Sequence, residues 1–385
     1  MNKNTLCRIF VVSIIFLVSL SPLTILDAKA QEIGIWISKA PLNKEVTFPK
    51  VAVVNRKIYA ISKSATAEYD IETNTWTTKT PMPTARSDFG ITTYKNKIYV
   101  IGGESGYDPD STGRILTGVN EVYDPQTDLW ETKESMPTPR FYIEANTVKN
   151  KIYLIAGSTN SDNPDVNEVY FPETDTWTTK APMPNPVYGY TSAILDNKIY
   201  FFEGGTSESD FNQIYDTETD SWSLGKNLPS KTRGTSAGAT TGTFAPKRIY
   251  VLGGSQGFAV PMNLNRIYDP FTDEWSSGTP MLTSRYEVAV AVVDDLLYAI
   301  GGGSGLSPIY VDELYVPVGH EFSDDPSLFE TPLPPPTPLP TESHTPTLTP
   351  TPIPFSIPTT IIIATIIILS ALGILAYFKK YKRRS

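Results

Sequence analysis

The residues of this sequence best suited to ligand recognition are four arginines assigned to one position of a repeated pattern: Arg86, Arg140, Arg233 and Arg285. Aromatic residues follow this position closely: Phe89, Phe141, Tyr142, Tyr188, Tyr190 and Tyr286. A guanidinium binds carboxylates through paired hydrogen bonds, and aromatic rings stack on sugars or peptide planes. The pattern therefore predicts a binding surface. In the alternative interpretation, the arginines donate hydrogen bonds to carbonyls of adjacent repeats and serve only the fold.

Glu203 is an acidic residue at a position where other repeats carry glycine. It lies in KIYFFEG (198–204), whereas KIYVIGG (97–103) and RIYVLGG (248–254) have paired glycines there. A partly buried carboxylate needs a cationic partner or has a raised pKa. Glu203 is therefore predicted either to pair with an arginine or to act as a functional acid.

The rest of the sequence offers few groups for catalysis or metal binding. It has two histidines, His320 and His344, and one cysteine, Cys7. Acidic stretches at 108–113 and 161–168 lack the ligand spacing of a known calcium loop. We therefore expect no metal, no cofactor and no catalytic residue, with Glu203 as the candidate acid if the protein is an enzyme.

Two recurring motifs indicate the elements that must position these side chains. A tyrosine is followed seven residues later by a tryptophan in YDIETNTW (69–76), YDPQTDLW (123–130), YFPETDTW (170–177), YDTETDSW (215–222) and YDPFTDEW (268–275). A β-rich segment such as KIYVIGG precedes each one, and a period of this length is typical of propeller blades. Each repeat predicts four antiparallel strands, a to d. Six repeats predict an all-β, six-bladed propeller.

These units resemble kelch repeats. The resemblance rests on the paired glycines, the spaced tyrosine and tryptophan, and the segments MPTAR (82–86) and MPTPR (136–140), and it extends over residues 32–318. It implies a kelch-type propeller closed by a strand from the N-terminus. It also implies an enzymatic alternative, because kelch-like sugar mutarotases are six-bladed and need only acid–base groups. Kelch-type copper oxidases need two histidines and a linked cysteine, which this chain cannot supply.

Trp36, the sixth tryptophan, has no tyrosine seven residues before it. The last repeat, in turn, ends at DELYVP (312–317) without a tryptophan. The segment EIGIWIS (32–38) is therefore predicted to be strand d of the last blade, where Trp36 meets Tyr315. Closure of this kind removes the exposed strand edges that would otherwise pair with other chains.

The directions of the strands predict on which face a ligand binds. Strand a runs one way and strand b returns, so the b–c loops and the d–a segments share one face. The b–c loops vary in length up to ESGYDPDSTGRILTG (104–118), and variable loops on a rigid scaffold commonly carry binding sites. Because the d–a segments carry the arginines, this loop face is the predicted binding face.

Both ends of the chain are predicted to lie outside the propeller, which is assigned to residues 31–320. Residues 1–30 match a signal peptide, with a basic start, an apolar run and a small-x-small motif at its end. Residues 321–358 are predicted to be a Pro/Thr-rich disordered stalk. Residues 359–378 contain no charge and are long enough for one transmembrane helix, and the basic tail at 379–385 is predicted to be cytoplasmic.

These features together predict a single-pass protein of the cell membrane with a monomeric propeller outside the cell. Residues 31–358 carry 40 acidic and 24 basic side chains, which argues against a nucleic-acid partner. The predicted function is non-catalytic recognition of an extracellular protein or glycan on the loop face. A sugar-processing enzyme of the mutarotase type is the alternative.

Overall fold

The structure, a computed structural model, describes residues 33–63, 65–110, 113–204, 210–257 and 260–321. Every regular element within these residues is a β-strand, as the sequence predicts. Among them there is no helix of the length and apolar character needed to cross a membrane. The predicted signal peptide, transmembrane helix and basic tail, and nearly all of the predicted stalk, lie outside the described residues.

The strands form six blades, each with strands a, b, c and d side by side in antiparallel order. In chain order the strands are Lys50–Val54, Lys57–Ile61, Thr66–Asp70 and Thr75–Lys79 in blade 1; Gly90–Tyr94, Lys97–Ile101, Asn120–Asp124 and Leu129–Lys133 in blade 2; Ala145–Val148, Lys151–Ile155, Asn167–Phe171 and Thr176–Lys180 in blade 3; Thr191–Leu195, Lys198–Phe202, Asn212–Asp216 and Ser221–Leu224 in blade 4; Arg233–Ala239, Ile249–Gln256, Asn265–Asp269 and Glu274–Ser277 in blade 5; and Ala289–Val293, Leu296–Ile300, Asp312–Val316 and Ile35–Lys39 in blade 6. The predicted six-bladed propeller is confirmed.

Three short pairings extend the b–c connections on the loop face. They are Glu104–Tyr107 with Arg114–Leu116, Val260–Pro261 with the end of strand b of blade 5, and Gly303–Ser304 with Ser307–Pro308. The b–c connections therefore add structure beyond the four-stranded blades on this face.

The hydrophobic core consists of six clusters, one between each pair of neighbouring blades. Successive side chains of a strand point to opposite faces of its sheet. In strand b of blade 1, Ile58 and Ala60 accordingly pack toward blade 6, whereas Tyr59 and Ile61 pack toward blade 2. Each blade is therefore buried on both faces, and its stability depends on both neighbours.

The repeated tyrosine-to-tryptophan segment joins each blade to the preceding one. In blade 2, the Tyr123 hydroxyl donates to Asp128 Oδ1 at 2.6 Å, and the same oxygen accepts the backbone N–H of Thr80 at 3.0 Å. The indole of Trp130 donates to the Thr80 carbonyl at 3.0 Å. Thr80 follows strand d of blade 1. We call this set of bonds the latch.

The latch recurs in blades 1, 3, 4 and 5 around the equivalent turn residues, Asn74, Asp175, Asp220 and Asp273. These residues and Asp128 have φ angles between 52 and 58°. Asn and Asp are the residues with a side chain that adopt this left-handed conformation most readily. The repeated octapeptide is therefore explained by contacts between blades as well as by the turn itself.

Blade 6 is closed by the N-terminal strand, as the sequence predicts. Trp36 lies opposite Tyr315 with the ring centroids 4.9 Å apart, and its indole donates to the Thr279 carbonyl of the preceding blade at 2.8 Å. A Cβ atom on Gly34 would lie 2.1 Å from the Tyr315 hydroxyl oxygen. Glycine is therefore required where the strand enters the ring.

Three of the four arginines lie inside the blades. Arg86, Arg140 and Arg285 are 0% exposed. Arg140 forms an ion pair with Glu168 and donates to the carbonyls of Ala156 at 2.6 Å and Leu154 at 2.8 Å. No ligand can reach these side chains without opening a blade. Their burial supports the alternative interpretation that they serve the fold, but the carbonyls they bind belong to their own blade and not to an adjacent one as predicted.

Blades without this arginine also lack its glutamate partner on strand c. The arginine position holds Val46, Val187 and Thr232 in blades 1, 4 and 5, and the partner position holds Ala67, Gln213 and Arg266. A buried charge without a partner is strongly destabilising, which explains why both members of the pair change together. We call the arginine–glutamate pair within a blade the brace.

In blade 5 the arginine lies on strand c, and its glutamate partner comes from blade 4, so this pair, the reversed brace, joins two blades. Arg266 Nη2 lies 3.3 Å from Glu203 Oε1, and the hydroxyls of Thr232 and Thr235 donate to the same carboxylate. Burial raises the pKa of Glu203, and these partners oppose the rise. Glu203 therefore forms the structural ion pair that was one of its two predicted roles. Arg233 follows Thr232 by one residue and does not occupy the brace position.

Gly34→Ala should destabilise the ring. The new methyl group would overlap the Tyr315 ring, and overpacking of this kind costs about 1–3 kcal/mol in the free energy of unfolding. Thermal and urea denaturation would measure the loss, with Ile33→Ala as control because Ile33 is 69% exposed. Equal stability of Gly34→Ala and wild type would show that this close approach does not constrain closure.

Arg140→Ala should lower the free energy of unfolding by about 3–5 kcal/mol, because it leaves Glu168 buried without its cation. The double variant Arg140→Val, Glu168→Gln copies the valine–glutamine pair that blade 4 carries at the same positions. We expect the double variant to recover most of the loss in urea denaturation. A double variant as unstable as the single one would contradict the brace.

Asp312 occupies the first position of strand c, where blades 2 to 5 have Asn120, Asn167, Asn212 and Asn265. Burial raises the pKa of Asp312 to about 7, although hydrogen bonds from the Trp76 indole at 2.9 Å and the Gly301 N–H at 3.2 Å oppose the rise. The folded state therefore favours the protonated acid.

Stability contributed by Asp312 should be present below pH 4 and should fall as the pH rises toward 7, because the folded pKa lies above the unfolded one. Asp312→Asn should remove this loss and stabilise the protein at pH 8 by roughly 2–4 kcal/mol, with little effect at pH 4. Urea denaturation at both pH values provides the test. An equal effect at the two pH values would contradict the assignment.

Candidate binding site at the channel mouth

The strands a of the six blades surround a central channel that widens into a cavity of about 1070 Å³. The cavity is lined by d–a segments of all six blades and by b–c residues such as Ser62, Arg114 and Ser255. It therefore opens on the loop face, the face that the strand directions predict for binding. We call this opening the mouth.

Six residues form a ring around the mouth, one from each d–a segment: Phe48, Asp88, Tyr142, Gly189, Gly234 and Glu287. Each lies two positions after the brace position, and their φ angles fall between 45 and 65°. A side chain in this left-handed conformation costs about 1–2 kcal/mol, yet four of the six residues are not glycine. Strain of this kind clusters at binding and catalytic sites.

Carboxylates surround Lys50 at the mouth. Lys50 Nζ forms an ion pair with Glu144 and also lies close to Asp88 and Glu287. Burial alone would lower the pKa of Lys50, but the three carboxylates together raise it above its usual value. The lysine is therefore charged and is already engaged by Glu144.

Two carboxylates of the mouth ring have raised pKa values. Burial raises the pKa of Asp88 to about 6, and Lys50 opposes the rise. Enclosure by the channel walls also raises the pKa of Glu287, although its side chain remains accessible to water from the mouth. With a pKa of about 6, Asp88 is mostly ionised at neutral pH. Asp88 and Glu287 both line the cavity.

Aromatic rings form the upper walls of the cavity. Tyr142 stacks with Tyr188 at a centroid distance of 6.0 Å, and Phe48 stacks with Tyr286 at 6.4 Å, both with an interplanar angle of 27°. The guanidinium of Arg114 lies 4.7 Å from the Phe141 ring and 5.5 Å from the Tyr142 ring. Arg114 belongs to the long b–c loop of blade 2.

The mouth ring is open on the side of blades 4 and 5, where both positions are glycine. A Cβ atom on Gly189 would have no heavy atom within 4 Å. One on Gly234 would lie 3.6 Å from Cγ of Glu287 and from Cβ of Tyr286. The two glycines therefore leave a notch that adjoins the Glu287 side chain.

The structure brings only part of the predicted site together. The predicted residues that line the cavity are Phe89, Phe141, Tyr142, Tyr188, Tyr190, Arg233 and Tyr286. Arg233 Nη2 donates to the Gly257 carbonyl at 2.8 Å. The Tyr190 hydroxyl donates to the Ile155 carbonyl and is buried, so it supports the wall. The brace arginines and Glu203 lie outside the lining.

Sequence reasoning missed six residues of the mouth: Phe48, Lys50, Asp88, Arg114, Glu144 and Glu287. Five of them lie two or four positions after the brace position of their repeats. Alignment of the six d–a segments on that position would have found them. The sequence gives a weaker indication for Arg114, because it lies in the variable loop 104–118 and no motif distinguishes it from the other residues of that loop.

The arrangement suits binding through charge and stacking. Within the described part of the chain, no three His, Cys, Asp or Glu side chains converge as a metal site would require. The enzymatic alternative depended on Glu203 and the arginines, and Glu203 is held in the reversed brace away from the cavity. The acceptors and rings of the mouth instead match polar and cationic groups of a ligand.

Comparison with known proteins shows extended similarity to Kelch repeats. Residues 91–303 match the family described as the KLHDC2/KLHL20/DRC7 Kelch-repeats domain. Beta-scruin of Limulus polyphemus is 31% identical over 96 residues, which cover 25% of this chain and 10% of that protein. Kelch-like protein terF of Aspergillus terreus is 39% identical over 92 residues, which cover 23% and 20%. This chain thus spans a fifth or less of the length of these curated relatives.

The solved structure of YjhT has the same fold. It superposes with a TM-score of 0.63 at 14% sequence identity, and the match covers 72% of this chain and 96% of that one. The fold agrees with the family match, which extends over more than half of the sequence. The six blades and the family match over residues 91–303 together show that the protein belongs to the Kelch-repeat β-propeller family.

Proposed function

We propose that this protein is a non-catalytic binding module, displayed at the cell surface, whose mouth receives a segment of a partner protein. A Kelch propeller suggests a protein-binding module. The observation that carries the proposal is the mouth cavity, which combines two stacked aromatic pairs with charged groups of both signs. Protein interfaces derive most of their binding energy from such aromatic and charged anchors in desolvated pockets.

The size and chemistry of the cavity favour a peptide segment over a sugar. A volume of about 1070 Å³ is at the upper end of small-ligand pockets and holds several amino-acid side chains. Tyr188 and Tyr286 line the cavity, where their rings can contact apolar parts of a peptide. Glu287 and Asp88 provide acceptors for its donors.

Support for surface display comes from the sequence at the two ends. The signal-like residues 1–30, the uncharged segment 359–378 and the basic tail 379–385 are consistent with export and a single membrane anchor. The Pro/Thr-rich composition of residues 321–358 is consistent with a stalk between the propeller and this anchor. The proposed partner is therefore an extracellular protein. Binding to a glycan instead would show that this partner class is wrong.

The proposal can be tested with the full-length protein on a synthetic peptide array and a glycan array in parallel. We expect selective peptide binding that Tyr188→Ala weakens by about tenfold, the effect of losing roughly 1.4 kcal/mol at an aromatic anchor. Phe271→Ala is the matched control, because Phe271 is 96% exposed on a c–d turn of the opposite face.

Three results would contradict the proposal. They are binding to glycans alone, peptide binding that Tyr188→Ala leaves unchanged, and peptide binding that Phe271→Ala abolishes. The first result would replace the partner class, and the other two would exclude the mouth as the binding site.

A further inference from the structure

The mouth already binds one guanidinium, which belongs to the protein itself. Arg114 lies over the rings of Phe141, Tyr142 and Tyr107 at 4.7, 5.5 and 5.2 Å. Its Nη1 is 3.1 Å from Glu104 and 3.9 Å from Asp88. The wall formed by blades 2 and 3 therefore holds a planar cation between aromatic faces and carboxylates, an arrangement that stabilises guanidinium groups.

The wall formed by blades 1 and 6 repeats these groups, and no arginine among the described residues lies over its rings. Phe48 and Tyr286 form the aromatic pair, and Glu287 provides the carboxylate beside it. Among the described residues, no side chain donates a hydrogen bond to the Glu287 carboxylate. The notch at Gly234 adjoins this carboxylate and leaves room for an incoming group.

From this repetition we infer that the group entering the mouth is a cationic side chain of the partner, above all the guanidinium of an arginine, bound by Glu287 and stacked on Tyr286 and Phe48. The inference rests on the proposed function and specifies the chemistry of its ligand. A planar guanidinium fits better than an ammonium, because it can stack on a ring while its N–H groups reach a carboxylate in the same plane.

Other charges near Glu287 are compatible with a cationic ligand. Lys50 and Arg233 lie near enough to Glu287 to oppose the rise in its pKa, but Lys50 pairs with Glu144 and Arg233 donates to the Gly257 carbonyl. Asp88 adds a second carboxylate close enough to influence the ionisation of both Lys50 and Tyr142. An anionic ligand would meet Asp88 and Glu287 at short range, and like charges in an enclosed site repel strongly.

The most direct probes are N-acetyl-arginine amide and N-acetyl-citrulline amide, which have nearly the same shape but differ in charge. Ligand-observed NMR with the full-length protein would measure both affinities. We expect the arginine compound to bind at least tenfold more tightly, and raised salt to reduce its affinity because the attraction is electrostatic. Citrulline binding equal to arginine binding would overturn the inference.

Two variants test the site independently of each other. Glu287→Gln keeps the shape of the side chain and should weaken arginine binding at least tenfold. Gly234→Asn should do the same, because asparagine tolerates a φ of 65° and its side chain would fill the notch beside Glu287. Gly319→Asn is the matched control, since Gly319 has a φ of 75° and contacts Pro246 outside the cavity.

The outcomes separate this inference from the proposed function. Unchanged arginine affinity in both mouth variants, or no arginine binding by wild type, overturns the inference. If peptides without a cationic residue still bind on the array and lose affinity in Tyr188→Ala, the binding module remains and only its ligand class is wrong. If no peptide depends on Tyr188, the proposed function fails as well.

Discussion

The latch between neighbouring blades is the interaction on which the rest of this structure depends. A propeller has no single core, so each blade must be held to both neighbours by contacts that repeat around the ring. In blade 2, one aspartate oxygen of Asp128 accepts both the Tyr123 hydroxyl and a backbone N–H of blade 1. Trp130 covers the same interface and donates to the adjacent carbonyl. Loss of any latch would expose the apolar faces of both blades that it joins.

The buried braces show that charged side chains inside the blades must also be paired. Desolvation of an arginine and a glutamate is unfavourable, and removal of one partner is worse than removal of both. The chain accordingly has complete pairs, uncharged pairs such as Val187 with Gln213, or the reversed pair of Arg266 with Glu203. A repeated arginine in this fold therefore indicates a need of the blade interior, even when its sequence neighbours suggest recognition.

The sequence was sufficient to predict the fold because the latch requires particular residue types in register. Tyrosine, a turn Asp or Asn, and tryptophan recur at fixed spacing. Trp36 has no tyrosine before it and Tyr315 has no tryptophan after it, so their pairing could be predicted. The face that carries the variable loops and the cavity followed from strand direction. Spacing alone could not distinguish an inward from an outward arginine: Arg233 lies one residue after the brace position, and this shift moves its side chain to the cavity lining.

The mouth ring was harder to predict because its members share a backbone conformation and not a residue type. Phe48, Asp88 and Glu287 have little in common as side chains, yet each has the same left-handed φ two positions after the brace. Only the six-fold arrangement brings them together, since residues of blades 1, 2 and 6 are far apart in sequence.

The separation of the brace position from the mouth position explains how one fold can keep its ring of blades while the residues of the mouth differ from blade to blade. The brace residue points into its blade, whereas the residue two positions later lines the channel. A change there costs at most the left-handed strain of about 1–2 kcal/mol that four of the six residues already carry. The two glycines avoid that strain and create the notch. The chemistry of the mouth can therefore change from blade to blade while the latches and braces keep the ring closed.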